Sequence, residues 1–348
     1  MWRVSLRDLQ WRLRRVIFAV LAAGLVLGMS LVMTGTERSL YQDGRDIVAI
    51  FDADAWVVAE GTSGPFTTTR PLATDTAQSV SDAEGVVAAD AIVISHSTVG
   101  EGEPRDVNVI GHPIGGIVAP EPSAGRLPER GGETLADTAL GVDIGDPVVL
   151  GGSTFEVVGV VEDVTWYFGA PTLFVPLEDA QSLAFDGRPL ATAVVTRGVP
   201  VALPEGLVAM GDDAVVRDLD RLMVSGGQTL QVLNLLLWLT AVGIIGLIVY
   251  LSALERVRDM AVLKAAGAST GALLVGLVVQ ALVLTLGAAV VAAVVAQLMA
   301  PTIPFGVEIT ISDYLRLGVI ATMVGLIASL AGLRKVVTVD PAVAFGRG

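Results

Sequence analysis

Ser269 lies in Gly267-Ala-Ser-Thr-Gly271, the G-x-S-x-G spacing that exposes a nucleophilic serine on a strand-to-helix turn in hydrolases. That chemistry needs a strand before the serine and a histidine base within reach. Here an amphipathic helical pattern precedes it and a long apolar run follows, so the match is rejected. The two histidines, His96 and His112, fall in a different segment. Ser95-His96-Ser97 sits in a strand-like run, where neighbouring side chains point to opposite faces, and neither serine is placed to bond His96. The absence of cysteine excludes a disulfide framework, a thiolate zinc site and a cysteine nucleophile. Asp52 and Asp54 could contribute at most a calcium ligand or two. The two lysines, Lys264 and Lys335, follow Leu263 and Arg334, so there is no Walker A glycine–lysine pair. No catalytic, cofactor-binding or metal-binding residue is assigned, and any ATP that drives this protein is bound by another chain.

The elements that position the remaining polar groups are membrane helices. Of the 348 residues 53% are hydrophobic and only 17% charged, and the mean hydropathy of +0.68 is too high for a simply soluble domain. Four apolar stretches are expected to span a bilayer: 16–33, 230–251, 271–299 and 317–333. The first is too long, and too far from a small-residue cleavage site, to be a signal peptide. At about 1.5 Å per residue the third exceeds a bilayer core of about 30 Å, so it tilts or protrudes.

Charge orients the spans. Residues 1–15 carry five arginines against one aspartate. Segment 252–270 carries three bases against two acids, and the tail 334–348 three against one. In the outer loop 300–316, residues 300–314 hold Glu308 and Asp313 with no base, and Arg316 can snorkel at the outer end of the fourth span. Basic segments on one side put both termini in the cytoplasm of a bacterial plasma-membrane protein. Residues 34–229 then form one large extracytoplasmic domain. It has 30 acids and 10 bases, and with a whole-chain net charge of −14 it argues against a nucleic-acid partner.

The outer domain reads as α+β. Strands are expected over Asp46–Phe51, Ala55–Val58, Ala91–Ser95, Val107–Ile110, Leu173–Val175 and Ala193–Thr196. Pro147–Leu150 and Thr154–Val161 around Gly151-Gly152 form a hairpin. A short helix is expected over Glu133–Leu140, ended by Gly141. Residues 213–223 form an amphipathic helix leading into the second span, interrupted at Gly226-Gly227. That pair is either a simple turn or the hinge of a stalk.

Small residues line several span faces: Gly24 and Gly28 in the first, Ala288, Ala292 and Ala296 in the third, and Ala321, Gly325 and Ser329 in the fourth. Such faces let helices approach closely in lipid, within one chain or between two. Between spans two and three, Glu255, Arg256, Arg258 and Asp259 share one helical arc and Leu254, Val257, Met260 and Ala261 the other. A net charge of +1 suits docking to a protein better than lying on lipid.

That segment, Leu254-Glu-Arg-Val-Arg-Asp-Met-Ala-Val-Leu-Lys-Ala-Ala-Gly-Ala-Ser269, resembles the cytoplasmic signature of the FtsX/MacB-type ABC transporter permeases, E-R-x-R-E-I-x-x-L-[RK]-A-x-G-A. Leu140-Gly-Val-Asp-Ile-Gly-Asp146 with Phe155–Val161 resembles the outer core domain of that family. Phe51-Asp-Ala-Asp-Ala-Trp-Val-Val58 is similar to its start in the four-span, DevC-like branch. Asp340-Pro-Ala-Val-Ala344 resembles the closing D-P-x-x-A-L, with Phe345 for the usual leucine. The resemblance implies a four-span subunit paired with a second permease copy or paralogue in the membrane lipid, working with a separate ATP-binding subunit. It also implies that Glu255, Arg256, Arg258, Asp259, Met260, Lys264 and Gly267 couple to that ATPase. Force would pass through the stalk to the outer domain, for export of a lipid, lipoprotein or peptide or for mechanical signalling. The competing reading is a membrane-anchored ligand sensor without an ATPase.

Overall fold

A computed structural model of the protein describes residues 13–67, 70–100, 104–118, 120–162, 164–167, 169–255, 262, 269–303 and 307–337. The chain divides into two compact units, one of residues 39–226 and one of residues 1–38 with 227–348. Two helices, α1 (Leu13–Ile50) and α4 (Asp212–Glu255), contribute residues to both.

The unit of residues 39–226 is built on one large mixed sheet. Its strands are β1 (Ala55–Ala59), β3 (Ala88–Val99), β4 (Arg105–His112), β5 (Ala124–Gly125), β6 (Glu133–Asp137), β7 (Pro147–Leu150), β8 (Ser153–Val161), β9 (Thr172–Pro176), β11 (Ala193–Arg197) and β12 (Leu207–Met210). They run in the order β12-β1-β11-β3-β4-β9-β6-β8-β5, with β7 paired to β3 and β8. β4 with β9 and β6 with β8 are parallel, and the other pairs are antiparallel. β2 (Leu72–Ala73) and β10 (Leu190–Ala191) make a separate short pair.

Both faces of the sheet are covered, which explains its near-continuous apolar strands. On one face Trp56, Ile92, Ile94, Ile110 and Phe174 pack with Ile47 and Val48 of α1, with Phe51 just past its end and with Val215 and Leu219 of α4. The alternate residues Val93, Val107, Val109, Leu173 and Val175 pack on the other face with Ala180 and Leu183 of α3 (Leu177–Phe185). Val57 and Val194 bury with Val80 of α2 (Thr76–Ser81).

Most expected strands and the hairpin are present. Gly151 and Gly152 both have positive φ, 57° and 85°, which a two-residue turn between β7 and β8 requires. Three local expectations are corrected. Asp46–Ile50 is the last part of α1, because Ile47, Val48 and Phe51 fall at helical spacing and bury as one face. Glu133–Asp137 is a strand, followed by a 3-10 turn over Thr138–Leu140. All five strand residues are buried between two neighbours, so no alternation marked it. Gly141 does end the turn, in the left-handed conformation at φ 76°. Finally, α4 passes through Gly226-Gly227 unbroken. Two glycines cost a helix only about 1 kcal/mol each, less than its long apolar flank supplies.

In the other unit, Val16–Ile50, Gln228–Leu251 and Val275–Thr302 are long and apolar enough to cross a membrane. The expected fourth span lies in α6 (Ile311–Val337). The core of this unit centres on α5 (Thr270–Met299), whose Ala281, Ala288, Ala292 and Ala296 are fully buried. Bulky side chains point outward instead, as with Phe18, Val290 and Leu298. That inside-out distribution suits a lipid solvent, in which close backbone approach replaces hydrophobic burial.

Candidate functional site

The small-residue faces pack within the chain. A Cβ at Gly24 would stand 2.6 Å from Val291 Cβ and 3.0 Å from the Ala288 carbonyl oxygen, both on α5. One at Gly28 would meet Val295 at 3.0 Å and the Ala292 carbonyl at 3.1 Å. On another part of α5, Gly325 of α6 leaves room for Thr285, whose Oγ1 lies 2.8 Å from a Cβ built there. Ala321 is fully buried, and the Ser329 hydroxyl donates to the Leu326 carbonyl at 2.6 Å. The question left open by the sequence, within one chain or between two, is answered for Gly24, Gly28 and Gly325 by α5.

A polar network ties α1 to α4. Trp238 Nε1 donates to Ser30 Oγ at 2.7 Å, and Ser30 donates to Asn234 Oδ1. Asn234 Nδ2 donates to Thr34 Oγ1 at 3.1 Å, and Thr34 donates to the Ser30 carbonyl at 3.0 Å. Each polar group has a partner, as a low-dielectric setting demands. Nearby, Gln231 Nε2 donates to Glu37 Oε1 at 3.0 Å. Arg38 pairs with Asp313 at 2.9 Å and also donates to Thr310 Oγ1. At the start of α6, Asp313 accepts from the Thr310 backbone N–H at 2.9 Å and from the Thr310 hydroxyl at 2.8 Å. The loop before α6 lies against α1 at Gly35, where a Cβ would come within 2.6 Å of Val307.

Ser30, Thr34, Glu37, Gln231, Asn234, Trp238 and Asp313 are among the residues that line a cleft of about 340 Å³ between α1, α4 and α6. Sequence reasoning noted Asn234 as a polar break in an apolar run but assigned no role to Ser30, Arg38 or Trp238. The signal was available in the polar residues grouped near one end of each run.

In the unit of residues 39–226, the first turns of α4 are held by polar anchors. Buried Asp218 accepts from the backbone N–H of Phe66 at 3.0 Å and of Thr67 at 3.2 Å, and from the Thr67 hydroxyl. Trp56 Nε1 donates to Asp212 at 3.0 Å. Elsewhere in the unit, buried Glu133 accepts both guanidinium nitrogens of Arg126 at 2.7 Å and Arg130 Nε at 2.8 Å. The Arg126 bonds hold its carboxyl below the usual carboxylate range. Burial pushes the His112 imidazole down, against a hydrogen bond with the Pro113 carbonyl and the charge of Asp90. His96 bonds Asn108 at 2.9 Å and stacks on Trp166 and Tyr167, a structural setting with neither serine engaged.

Of the expected coupling residues, Glu255 is the last of α4, while Arg256, Arg258, Asp259, Met260, Lys264 and Gly267 lie outside the described residues. Among the described residues no group of three or more His, Cys, Asp or Glu could hold a metal ion.

Residues 18–209 match the family model of the MacB-like periplasmic core domain, and residues 232–341 that of the FtsX-like permease C-terminal domain. The chain belongs to the FtsX/MacB-type ABC transporter permeases. An uncharacterized ABC transporter permease of Mycobacterium tuberculosis is 39% identical to this permease over 343 residues, 98% of each chain. A second from the same organism is 40% identical over the same lengths. Among solved structures, the periplasmic region of MacB from Actinobacillus actinomycetemcomitans is 12% identical with a TM-score of 0.36, covering 48% of the permease and 92% of that chain. The permease is thus a bacterial membrane protein, a transporter subunit by family, with a large outer domain between its first two spans.

Proposed function

We propose that this permease couples ATP hydrolysis by a separate ATP-binding subunit to movement of its extracytoplasmic domain. It does so as one of a pair of permease chains, for export of a lipid, lipoprotein or peptide or for mechanical signalling. Both termini and segment 252–270 face the cytoplasm, as the distribution of basic residues favours. The observation that carries the reading is the double anchoring of α1 and α4. Within the outer unit their ends are buried in one core, through Ile47, Val48 and Phe51 and through Val215 and Leu219. Within the membrane unit they are joined by the Ser30–Asn234–Trp238 network. The cytoplasmic end of α4, at Glu255, leads directly into the basic and acidic arc suited to docking.

The test replaces Arg256→Glu together with Arg258→Glu in the full chain, with insertion checked first because two positive charges leave a short inner loop. Breaking a desolvated charge pair at an interface costs about 2–5 kcal/mol. The ATP-binding subunit should then no longer copurify in mild detergent, and its ATPase should no longer respond to the permease. Met260→Asp should act alike by placing an unpaired charge in an apolar contact. Normal binding and regulation in both variants would remove this segment as the coupling element.

A further inference from the structure

On each helix the cleft between α1, α4 and α6 has a charged or amide end and an apolar stretch deeper in. On α1 its lining runs from Glu37 to Leu31 and Ser30, on α4 from Gln231 to Leu235 and Trp238, and on α6 from Asp313 and Arg316 to Ile320, with the deeper polar groups of Ser30 and Trp238 bonded to each other. Each polar end stands where an apolar run stops, just past Met33 and beside Leu230 and Leu317. In a bilayer that is headgroup depth, on the side of the outer segment, and the apolar end reaches into the acyl region. The charges at the rim are not equivalent. Arg38 is committed to Asp313 at 2.9 Å, and Glu37 accepts from Gln231. Arg316 is exposed and has no ion-pair partner among the described residues. The cleft therefore offers one uncommitted cation above an apolar slot.

We propose that this cleft binds a glycerophospholipid, its phosphate on the Arg316 guanidinium and an acyl chain along Leu235 and Ile320. A guanidinium matches phosphate oxygens in a bidentate fork, and the apolar slot adds what a free anion lacks. The assignment rests on the membrane placement of the helices and needs no ATPase, so its failure leaves the coupling reading intact, and the reverse.

Trp238 lines the same cleft and serves as the reporter. The full-length chain in phosphate-free maltoside micelles is titrated with phosphatidylglycerol carrying brominated acyl chains, and separately with diacylglycerol carrying the same chains. The reading is the quenching lost in Trp238→Phe. Phosphatidylglycerol should quench saturably at a low mole fraction and diacylglycerol only weakly. Arg316→Gln should raise the half-saturating fraction about tenfold, the equivalent of one charge-assisted hydrogen bond. Arg316→Lys should retain most binding. Ile320→Phe, which fills the apolar end, should weaken binding with Arg316 in place. Three results would overturn the proposal: equal, non-saturating quenching by both lipids; displacement of the lipid by millimolar inorganic phosphate, which marks a small-anion site; or no quenching by either while the chain elutes as a dimer, which marks a second copy over the cleft.

Discussion

Gly24 faces α5 with no space for a methyl group, and the energetic consequence can be worked from the contacts. Carbon atoms rest about 3.5–4.0 Å apart at optimal contact. A Cβ at Gly24 would sit 2.6 Å from both Val291 Cβ and Cγ1. In Gly24→Ala, α1 and α5 must part by about 1 Å, because a new Val291 rotamer moves Cγ1 but leaves Cβ in place. Overpacking of this kind costs about 1–3 kcal/mol, and exchanging a helical glycine for alanine returns up to about 1 kcal/mol. The net expectation is a loss of about 1–2 kcal/mol. Gly28→Ala meets Val295 at 3.0 Å, where a shift of a few tenths suffices, and should be nearly neutral. At Gly243 nothing lies within 4 Å, so Gly243→Ala should be neutral or stabilising. Thermal unfolding of the full chain in mild detergent, with size exclusion beside it, orders the three variants. Val291→Ala should rescue Gly24→Ala only in part, since it removes Cγ1 and leaves the Val291 Cβ position 2.6 Å from the new methyl. If Gly24→Ala matches Gly243→Ala in stability while the dimer dissociates, the face is an interface between chains and the intrachain packing is refuted.

Three further expectations can be checked independently. The chain has no cysteine, so single cysteines are clean probes: Ser269→Cys should resist an impermeant thiol reagent in whole cells and Ser123→Cys should react, with the opposite pattern reversing the topology. Acid should destabilise the outer unit in two steps of the same sign. Below about pH 6.5 the unfolded chain protonates His112 while the folded site, with its lowered pKa, resists, so stability falls from there toward that lower value. Glu133, also lowered, contributes stability above about pH 4.3 that is lost as pH falls toward its folded value; His112→Phe should shrink the first step, to which His96, also lowered by burial, contributes, and leave the second in place. Gly226→Ala with Gly227→Ala should strengthen α4 by about 1 kcal/mol per site, yet weaken regulation of the ATPase without releasing it, if the pair is where the helix flexes. Unchanged regulation would leave the pair a mere tolerance of the helix.

What the sequence disclosed depended on whether one neighbour or several decided each element. The hairpin over Pro147–Val161 was legible because Gly151-Gly152 fixes its turn locally. β6 was not, because Leu135 and Ala136 fit a helical face as well as a strand buried on both sides, and only β8 and β9 choose between them. The end of α1 was misread for the opposite reason: Asp46–Phe51 has strand-like composition, but its buried residues Ile47, Val48 and Phe51 lie three and four apart and cover one face of the sheet. The apolar runs and their small-residue faces were visible, whereas their partners were not, since spacing alone does not say which helix fills the gap at Gly24. The Arg38–Asp313 pair joins residues far apart in sequence, and no local pattern could have linked them.

The placement of polar bonds gives the coupling proposal its physical form. A hydrogen bond inside a membrane unit is hard to exchange, because lipid offers no substitute partner. Ser30, Thr34, Asn234 and Trp238 exchange bonds among themselves, so sliding α1 past α4 would strand several groups at once. Contacts of α1 with α5 at Gly24 and Gly28 are instead van der Waals contacts, which tolerate small shifts at lower cost until atoms overlap. A push arriving at Glu255 would therefore carry α1 and α4 together against α5. In the outer unit both helices end in one apolar core, and α4 is further pinned by the Asp218 carboxylate, which accepts from the backbone N–H groups of Phe66 and Thr67. Paired helices fixed at one end and braced by direct hydrogen bonds between residues 30–37 and 231–238 would transmit a displacement that a single apolar helix free to rotate in lipid would dissipate.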